Sequence, residues 1–319
     1  MSYGDESADL RELSEIESDL SSEVESILIK DDPRRYYQVQ KGAIAKQDNE
    51  NFYLTKKLSN QALYMMKTLN MPDKRQNDAL VREIALMRSL NSDCVLRCTA
   101  AYFFQGRIWL FQEFMDGGNL QNLISLLEPA EEILSEEFCM YTLFKIITGL
   151  HAMHSENLLH RGLNSENIYL DFNGEIKLGD LGVSVHLTKE QRLRETRLQT
   201  VPNWYSPEII KGCPYSKEID VWALGITAYQ LASGRLPFTS ATSAVNQSSE
   251  TNGNINSLAS SMVTISTLGV PKLPNHRSAN FKDFVSKCTE VKPENRWNTS
   301  MLIYHPFLQG AEDLRAHWI

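Results

Sequence analysis

The chain has 319 residues, 42% hydrophobic and 23% charged, with a formal charge of −8. This is ordinary globular composition, long enough for one large domain or two lobes. The acidic balance argues against nucleic acid as a partner, since such binders usually present a basic face. No apolar run approaches the ~18 residues of a membrane span, so no membrane partner is expected. The opening MSYGDESADL has neither a basic start nor an apolar stretch, which argues against a secretory signal. Cys94, Cys98, Cys139, Cys213 and Cys288 are odd in number and contain no C-x-x-C pair. Reduced, mostly buried thiols in the cytoplasm or the nucleus fit this better than disulfides or zinc.

Residues 1–30 are acidic and serine-rich, with Leu10, Leu13, Ile16, Leu20, Val24 and Ile27 at helical spacings of three and four. This is either a solvated tail of marginal helicity or a segment that docks on the domain or a partner. From Tyr36 to Phe114 the pattern is of strands around one helix. Tyr36–Val39 and Phe52–Thr55 read as a pair, Ala62–Leu69 as a third strand, and Val95–Phe104 and Arg107–Phe114 as two more around a Gln105–Gly106 turn. Asp78–Leu90 has helical periodicity.

Beyond Met115 the pattern becomes helical. Leu120–Leu127 comes first, then Ser135–His154, where Ser135 is a candidate N-cap and Glu136 and Glu137 suit the positive end. Asp220–Ser233 is apolar nearly all round, as expected of a helix buried in a lobe. Thr239–Ser261 has no aromatic residue and one charge, Glu250, and reads as a polar insertion. Helices at Asn280–Thr289 and Thr299–Tyr304 follow. The expected boundaries are an acidic tail at 1–30, a domain at 31–308 and a C-terminal tail at 309–319. Within the domain, a small lobe covers 31–114 and a large lobe 115–308, with the insertion at 239–261.

The chemistry-bearing stretch is Leu158–Gly182, LLHRGLNSENIYLDFNGEIKLGDLG. His160-Arg161-Gly162-Leu163-Asn164-Ser165-Glu166-Asn167 resembles the H-R-D-x-x-x-x-N catalytic loop of protein kinases, and Asp180-Leu181-Gly182 resembles D-F-G. Lys67 in Tyr64-Met65-Met66-Lys67 lies over the lysine of V-A-I-K, and Glu83 over its helix partner. Ser206-Pro207-Glu208 resembles A-P-E, and Asp220-Val221-Trp222 the buried aspartate helix. The resemblance spans Tyr36–Leu308 and implies an α+β bilobal protein-kinase fold, with a five-stranded small lobe carrying one helix and a mainly helical large lobe. Phe114–Leu120, Gly174–Leu178, Gly182–Ser184 and Gly225–Ala228 resemble the sterile-20-like serine/threonine branch. Pro202–Glu208 and the insertion after Leu236-Pro237-Phe238 resemble the STRAD pseudokinase adaptors within it.

The resemblance assigns roles residue by residue. Lys67 would hold nucleotide phosphates with Glu83 positioning it, and Asn167 and Asp180 would be the magnesium ligands. Gln112 would be the gatekeeper, with Glu113 and Met115 at the hinge. Arg161 would organise the activation segment, in which Thr196 and Thr200 are candidate phosphorylation sites. Glu208, Arg296 and Asp220 would be structural. The bland alternative for Lys67, Glu83, Asn167 and Asp180 is an ion-pair network that supports the fold without ligand.

The departures matter more. Gly162 stands where the aspartate that accepts the substrate proton belongs, and glycine has no group for that task. Asn164 replaces a lysine that would neutralise the transferring phosphoryl group. The glycine-rich loop is reduced to Gly42. Met65 replaces the alanine above adenine and Tyr169 the leucine below it, which narrows the slot unless both turn aside. ATP stays the implied nucleotide while magnesium is in doubt. The leading expectation is a pseudokinase adaptor that activates a partner serine/threonine protein kinase, with an armadillo-like scaffold protein as third member. The alternative is a weakly active kinase, for which Glu166 is the nearest substitute base, though its position in the motif normally points away from the substrate. A third reading is a kinase-fold protein that competes for a kinase's docking site.

Overall fold

The computed structural model describes residues 28–40, 45–47, 50–70, 84–105, 107–130, 132–188, 192–194, 202–237, 264–265 and 267–317. The acidic segment up to residue 27, Gly42, the start of the helix expected from Asp78, Glu83, Thr196, Thr200 and the 239–261 insertion lie outside the described residues. The chain divides into two compact units, residues 1–91 with 96–115 and residues 92–95 with 116–319.

The smaller unit is an antiparallel sheet of order β1-β3-β4-β6-β5: Tyr37–Val39, Glu50–Lys57, Leu63–Asn70, Arg107–Glu113 and Cys98–Phe104. A short β2 (Ala45–Gln47) pairs with β3 beyond the end of β1, so the two share one edge position. Alternation along β4 sends Tyr64 and Met66 to one face and Met65 and Lys67 to the other. The first face carries the core of Tyr37, Met66, Ala100, Tyr102 and Phe111. There Tyr37 stacks on Phe111 at 3.8 Å and Tyr102 meets Phe111 edge-on at 5.7 Å. Helix α1, described over 84–89, buries Ile84, Leu86 and Met87. Ile29 adds a parallel bridge beside Tyr102 at the open edge of β5, with its N–H on the Ala101 carbonyl at 2.9 Å.

The β5 strand begins at Cys98 and not at Val95 as the residue pattern suggests. Val95 pairs with Leu178 of the larger unit, and the Leu178 N–H reaches the Cys94 carbonyl at 2.8 Å. A run of strand-forming residues is thus divided between two cores.

The larger unit is built on helices α2 (Leu120–Leu127), α3 (Glu136–Ser155), α4 (Pro207–Ile210), α5 (Glu218–Ser233), α6 (Ala279–Cys288) and α7 (Thr299–Leu302). Side chains cap the starts of α2, α3, α6 and α7. Asn119 accepts the Asn122 N–H at 2.9 Å, and Ser135 accepts the Phe138 N–H at 3.2 Å with Glu136 and Glu137 in the first turn. Helix α5 is buried from Ile219 to Ala232 and ends at Gly234 with φ 73°. Two small sheets hold the loops: β7 (Gly118–Asn119), β9 (Ile168–Leu170) and β10 (Ile176–Leu178) form one, and β8 (Leu158–Leu159) with β11 (Val185–His186) the other. The β9–β10 turn is tied by Asp171, which accepts the N–H groups of Asn173 and Glu175. Among the described residues no helix is long and apolar enough to cross a membrane.

Candidate active site

In the smaller unit, Lys67 sits mid-strand on β4, directly opposite Phe52 of β3 and Leu110 of β6. Its Nζ lies 5.8 Å from the centre of the Phe52 ring. The next row on the same face is Leu54, Met65 and Gln112. The Gln112 amide donates to Met87 Sδ of α1 at 3.3 Å, so this polar side chain is turned towards the helix. At the end of β6, the Glu113 carboxylate accepts the Arg97 N–H at 3.2 Å and its own N–H bonds the Arg97 carbonyl at 3.3 Å. Met115 is buried. Glu83 and Gly42 belong to the residues not described.

In the larger unit the loop after β8 is fixed from below by Asp220 of α5. Its carboxylate accepts the His160 and Arg161 N–H groups, both at 2.8 Å, and lies 2.9 Å from His154 Nε2. Burial alone would raise this carboxyl, but the hydrogen bond from His154, the two nearby histidines and the Arg161 N–H outweigh it and hold it below the ordinary carboxylate range. His160, also buried, is pushed below the usual imidazole range by desolvation, against the pull of Asp220 and Asp180. Arg161 takes φ +65° and its guanidinium lies 5.8 Å over the Tyr215 ring. A left-handed arginine costs on the order of 1–3 kcal/mol, and the Asp220 contacts are what hold it there.

Gly162 is buried, and its carbonyl accepts the Asn167 amide at 2.8 Å and the Asn164 amide at 3.3 Å. A Cβ on Gly162 would stand 2.9 Å from Val183 Cγ2. An aspartate side chain would therefore begin hard against the residue that follows the Asp180-Leu181-Gly182 turn, and one of the two would have to shift. Asn164 is buried as well, and its oxygen accepts the Glu166 and Asn167 N–H groups at 2.8 and 3.2 Å. It caps the turn at Ser165–Asn167 and so acts on the loop's own backbone. Glu166 is exposed.

The Asn167 amide also donates to Asp180 Oδ2 at 3.1 Å, and Asp180 takes φ +58°. The two residues carry the hard oxygens that suit a magnesium ion, with the Asn167 nitrogen rather than its oxygen facing the exposed Asp180 carboxylate here. Tyr169 lies on β9 between Ile168 and Leu170, whose side chains are buried on one face, so Tyr169 projects from the opposite face. Glu208 and Arg296 form a buried two-pronged pair at 2.7 and 3.1 Å, and Arg296 also donates to the Glu218 and Glu290 carbonyls. His151 is hydrogen-bonded to Thr299, so the histidines of this region each have a local partner in packing.

Two residues of the site are missed by sequence reasoning. Val183 lies outside both motifs, and its contact with the Gly162 position is set by the chain's return past β8. Phe52 reads only as a strand residue, and counting back across the hairpin from Lys67 is the signal that would find it.

A strand-rich unit with a mid-strand lysine, and a helical unit with a buried aspartate under an H-R-x loop and an Asn–Asp pair, define a protein-kinase-like fold. The protein kinase domain family matches residues 49–308, and the chain belongs to that family. Among curated proteins it is 30% identical over 285 residues to the serine/threonine-protein kinase pak-1 of Caenorhabditis elegans, covering 89% of this chain and 46% of that one. It is 32% identical over 265 residues to the serine/threonine-protein kinase pakB of Dictyostelium discoideum, covering 82% and 29%. Against the serine/threonine-protein kinase PAK 1 of Mus musculus it is 28% identical over 253 residues, covering 79% and 43%. The chain spans less than half the length of each of these three. Its relatives are sterile-20/PAK-like serine/threonine kinases, which agrees with the branch expected from the motifs.

Proposed function

We propose that this chain is a pseudokinase adaptor of the STRAD type, which binds a partner serine/threonine protein kinase and favours that kinase's active conformation. The observation that carries this reading is at Gly162. The proton-accepting side chain is absent, and Val183 Cγ2 lies 2.9 Å from where its first carbon would be. Asn164, where a phosphate-neutralising lysine belongs, is turned into the loop as a cap. Both groups that meet substrate and transferring phosphoryl are thus converted to structural use. Activation of a client would work by differential binding, with the adaptor contacting the client's active state better than the inactive one. An armadillo-like scaffold protein is the proposed third member, and the proposed setting of the complex is the cytoplasm, with access to the nucleus.

The second reading is a weakly active ATP-dependent serine/threonine kinase. It is favoured by the Asn167–Asp180 pair, which retains hard oxygens for magnesium. Protein kinase domains use ATP with magnesium; Asn167 and Asp180 would hold the ion, which would supply neutralisation of the charge developing on the phosphoryl group. Loss of a general base costs about 10²–10⁴-fold, and positioning supplies much of the remaining rate.

The deciding experiment is γ-phosphate transfer by the purified chain to itself and to a generic acceptor, beside an Asp180→Asn control. Transfer equal to the control, together with a raised rate for a co-purified kinase, is the expected result. Transfer clearly above the control would make the chain an enzyme and overturn the adaptor reading. Inhibition of the co-purified kinase would point instead to competition for its docking site.

A further inference from the structure

We propose that Phe52 is a gate on the small unit's phosphate position, and that its ring keeps Lys67 from nucleotide phosphates. The strand register sets the geometry. Phe52 of β3 and Lys67 of β4 are direct cross-strand partners, so both side chains leave the same face of the sheet. The Lys67 ammonium lies 5.8 Å from the ring centre, within the range over which an aromatic face attracts a cation. On the same face the neighbouring row is Leu54 and Met65, so the ring extends an apolar strip that runs along the two strands.

In protein kinases the turn before the strand that pairs with the lysine strand lies over the nucleotide phosphates and is rich in glycine, because the backbone must come close. Here the strand paired with the lysine strand carries a benzyl group directly opposite the lysine. A ring cannot hydrogen-bond a phosphate, and its π cloud repels anionic oxygen. A nucleotide phosphate that is to reach Lys67 must first displace the ring. The ring is thus a removable obstacle at Lys67, distinct from the reduced glycine-rich loop and from the missing proton acceptor at Gly162. The inference deepens the pseudokinase reading and rests on Lys67 being the phosphate lysine.

The test is calorimetric titration of the full chain with ATP, ADP and adenosine in magnesium buffer. In the native chain ATP and adenosine should bind within about threefold of each other, because the lysine adds little. Phe52→Ala should tighten ATP and ADP by about tenfold or more, the scale of a restored charge-assisted hydrogen bond, and leave adenosine unchanged. Adding Lys67→Met to Phe52→Ala should abolish the gain. Should the alanine variant fail to fold by its melting curve, Phe52→Thr, short and suited to a strand, gives the same comparison. The idea is overturned if the native chain binds ATP about tenfold tighter than adenosine. It is equally overturned if the folded variant's ATP affinity is unchanged, or if the gain survives Lys67→Met. Client stimulation is measured separately on the same proteins, so failure of the gate and failure of the adaptor reading give different results.

Discussion

At Gly162 the loss of the aspartate is chemical and steric together, and the two can be separated by substitution. The backbone there is outside the left-handed region, so an alanine is resisted only by the contact with Val183 Cγ2 at 2.9 Å. Gly162→Ala is expected to cost about 1–3 kcal/mol of stability, as overpacking does. In a Val183→Ala background most of that cost should vanish, a coupling readable in urea titrations of the double-mutant cycle. Equal costs in both backgrounds would mean the strain lies elsewhere. Gly162→Asp alone should therefore give a destabilised protein with no gain in transfer, and the paired change Gly162→Asp with Val183→Ala is the fairer revertant. The absence of a proton acceptor was legible in the sequence from the H-R-x motif alone. The occupant of its space was not, because Val183 is 21 positions away and is brought there by the fold.

At the scale of elements, the larger unit depends on α5 lying close against α6. Gly225 makes this approach possible: a Cβ there would sit 2.5 Å from Thr289 Cγ2 and 2.7 Å from Cys288 Cβ. Gly225→Ala should destabilise despite its better helix propensity, by at least the ~1–3 kcal/mol of an overpacked core. A stabilised protein in thermal melts would contradict that packing. The segment ending in α4 is tied down by Arg296, whose side chain is fully buried against Glu208 and which lies 5.1 Å over the Trp222 ring. Removing one member leaves an unpaired buried charge, so Arg296→Met should cost about 3–5 kcal/mol. Arg296→Met with Glu208→Leu should cost clearly less than the two single changes summed, and additive costs would mean the two charges act independently. Helix positions were well read from periodicity and caps, Ser135 and Leu120–Leu127 in particular. The start of β5 was misread because local propensity does not say which of two cores Val95 joins.

At the scale of the whole molecule, two buried titratable groups under the loop couple stability to pH. His160 is pushed down by burial, so between its folded value and about pH 6.5 the unfolded chain binds the extra proton. Stability from this group is complete above about pH 6.5 and falls as the pH is lowered, down to the folded value. Asp220 is also held down, so its share is present above about pH 3.9 and is lost as the pH falls further. The urea midpoint should therefore drop between about pH 7 and 5, and a His160→Gln variant should show a flatter profile. Parallel profiles would mean that His160 titrates alike in both states.

The sequence by itself determined the family, the order of the motifs and the missing proton acceptor, because each is carried by residue identity at fixed local spacing. It also determined the helices whose apolar period and caps are local. Only the tertiary structure decided what stands at these places, Val183 beside the vacated position at Gly162 and Phe52 opposite the retained Lys67, and that Asn164 faces the loop. Those facts follow from strand register and chain return, and both are set by the packing of residues far apart in sequence.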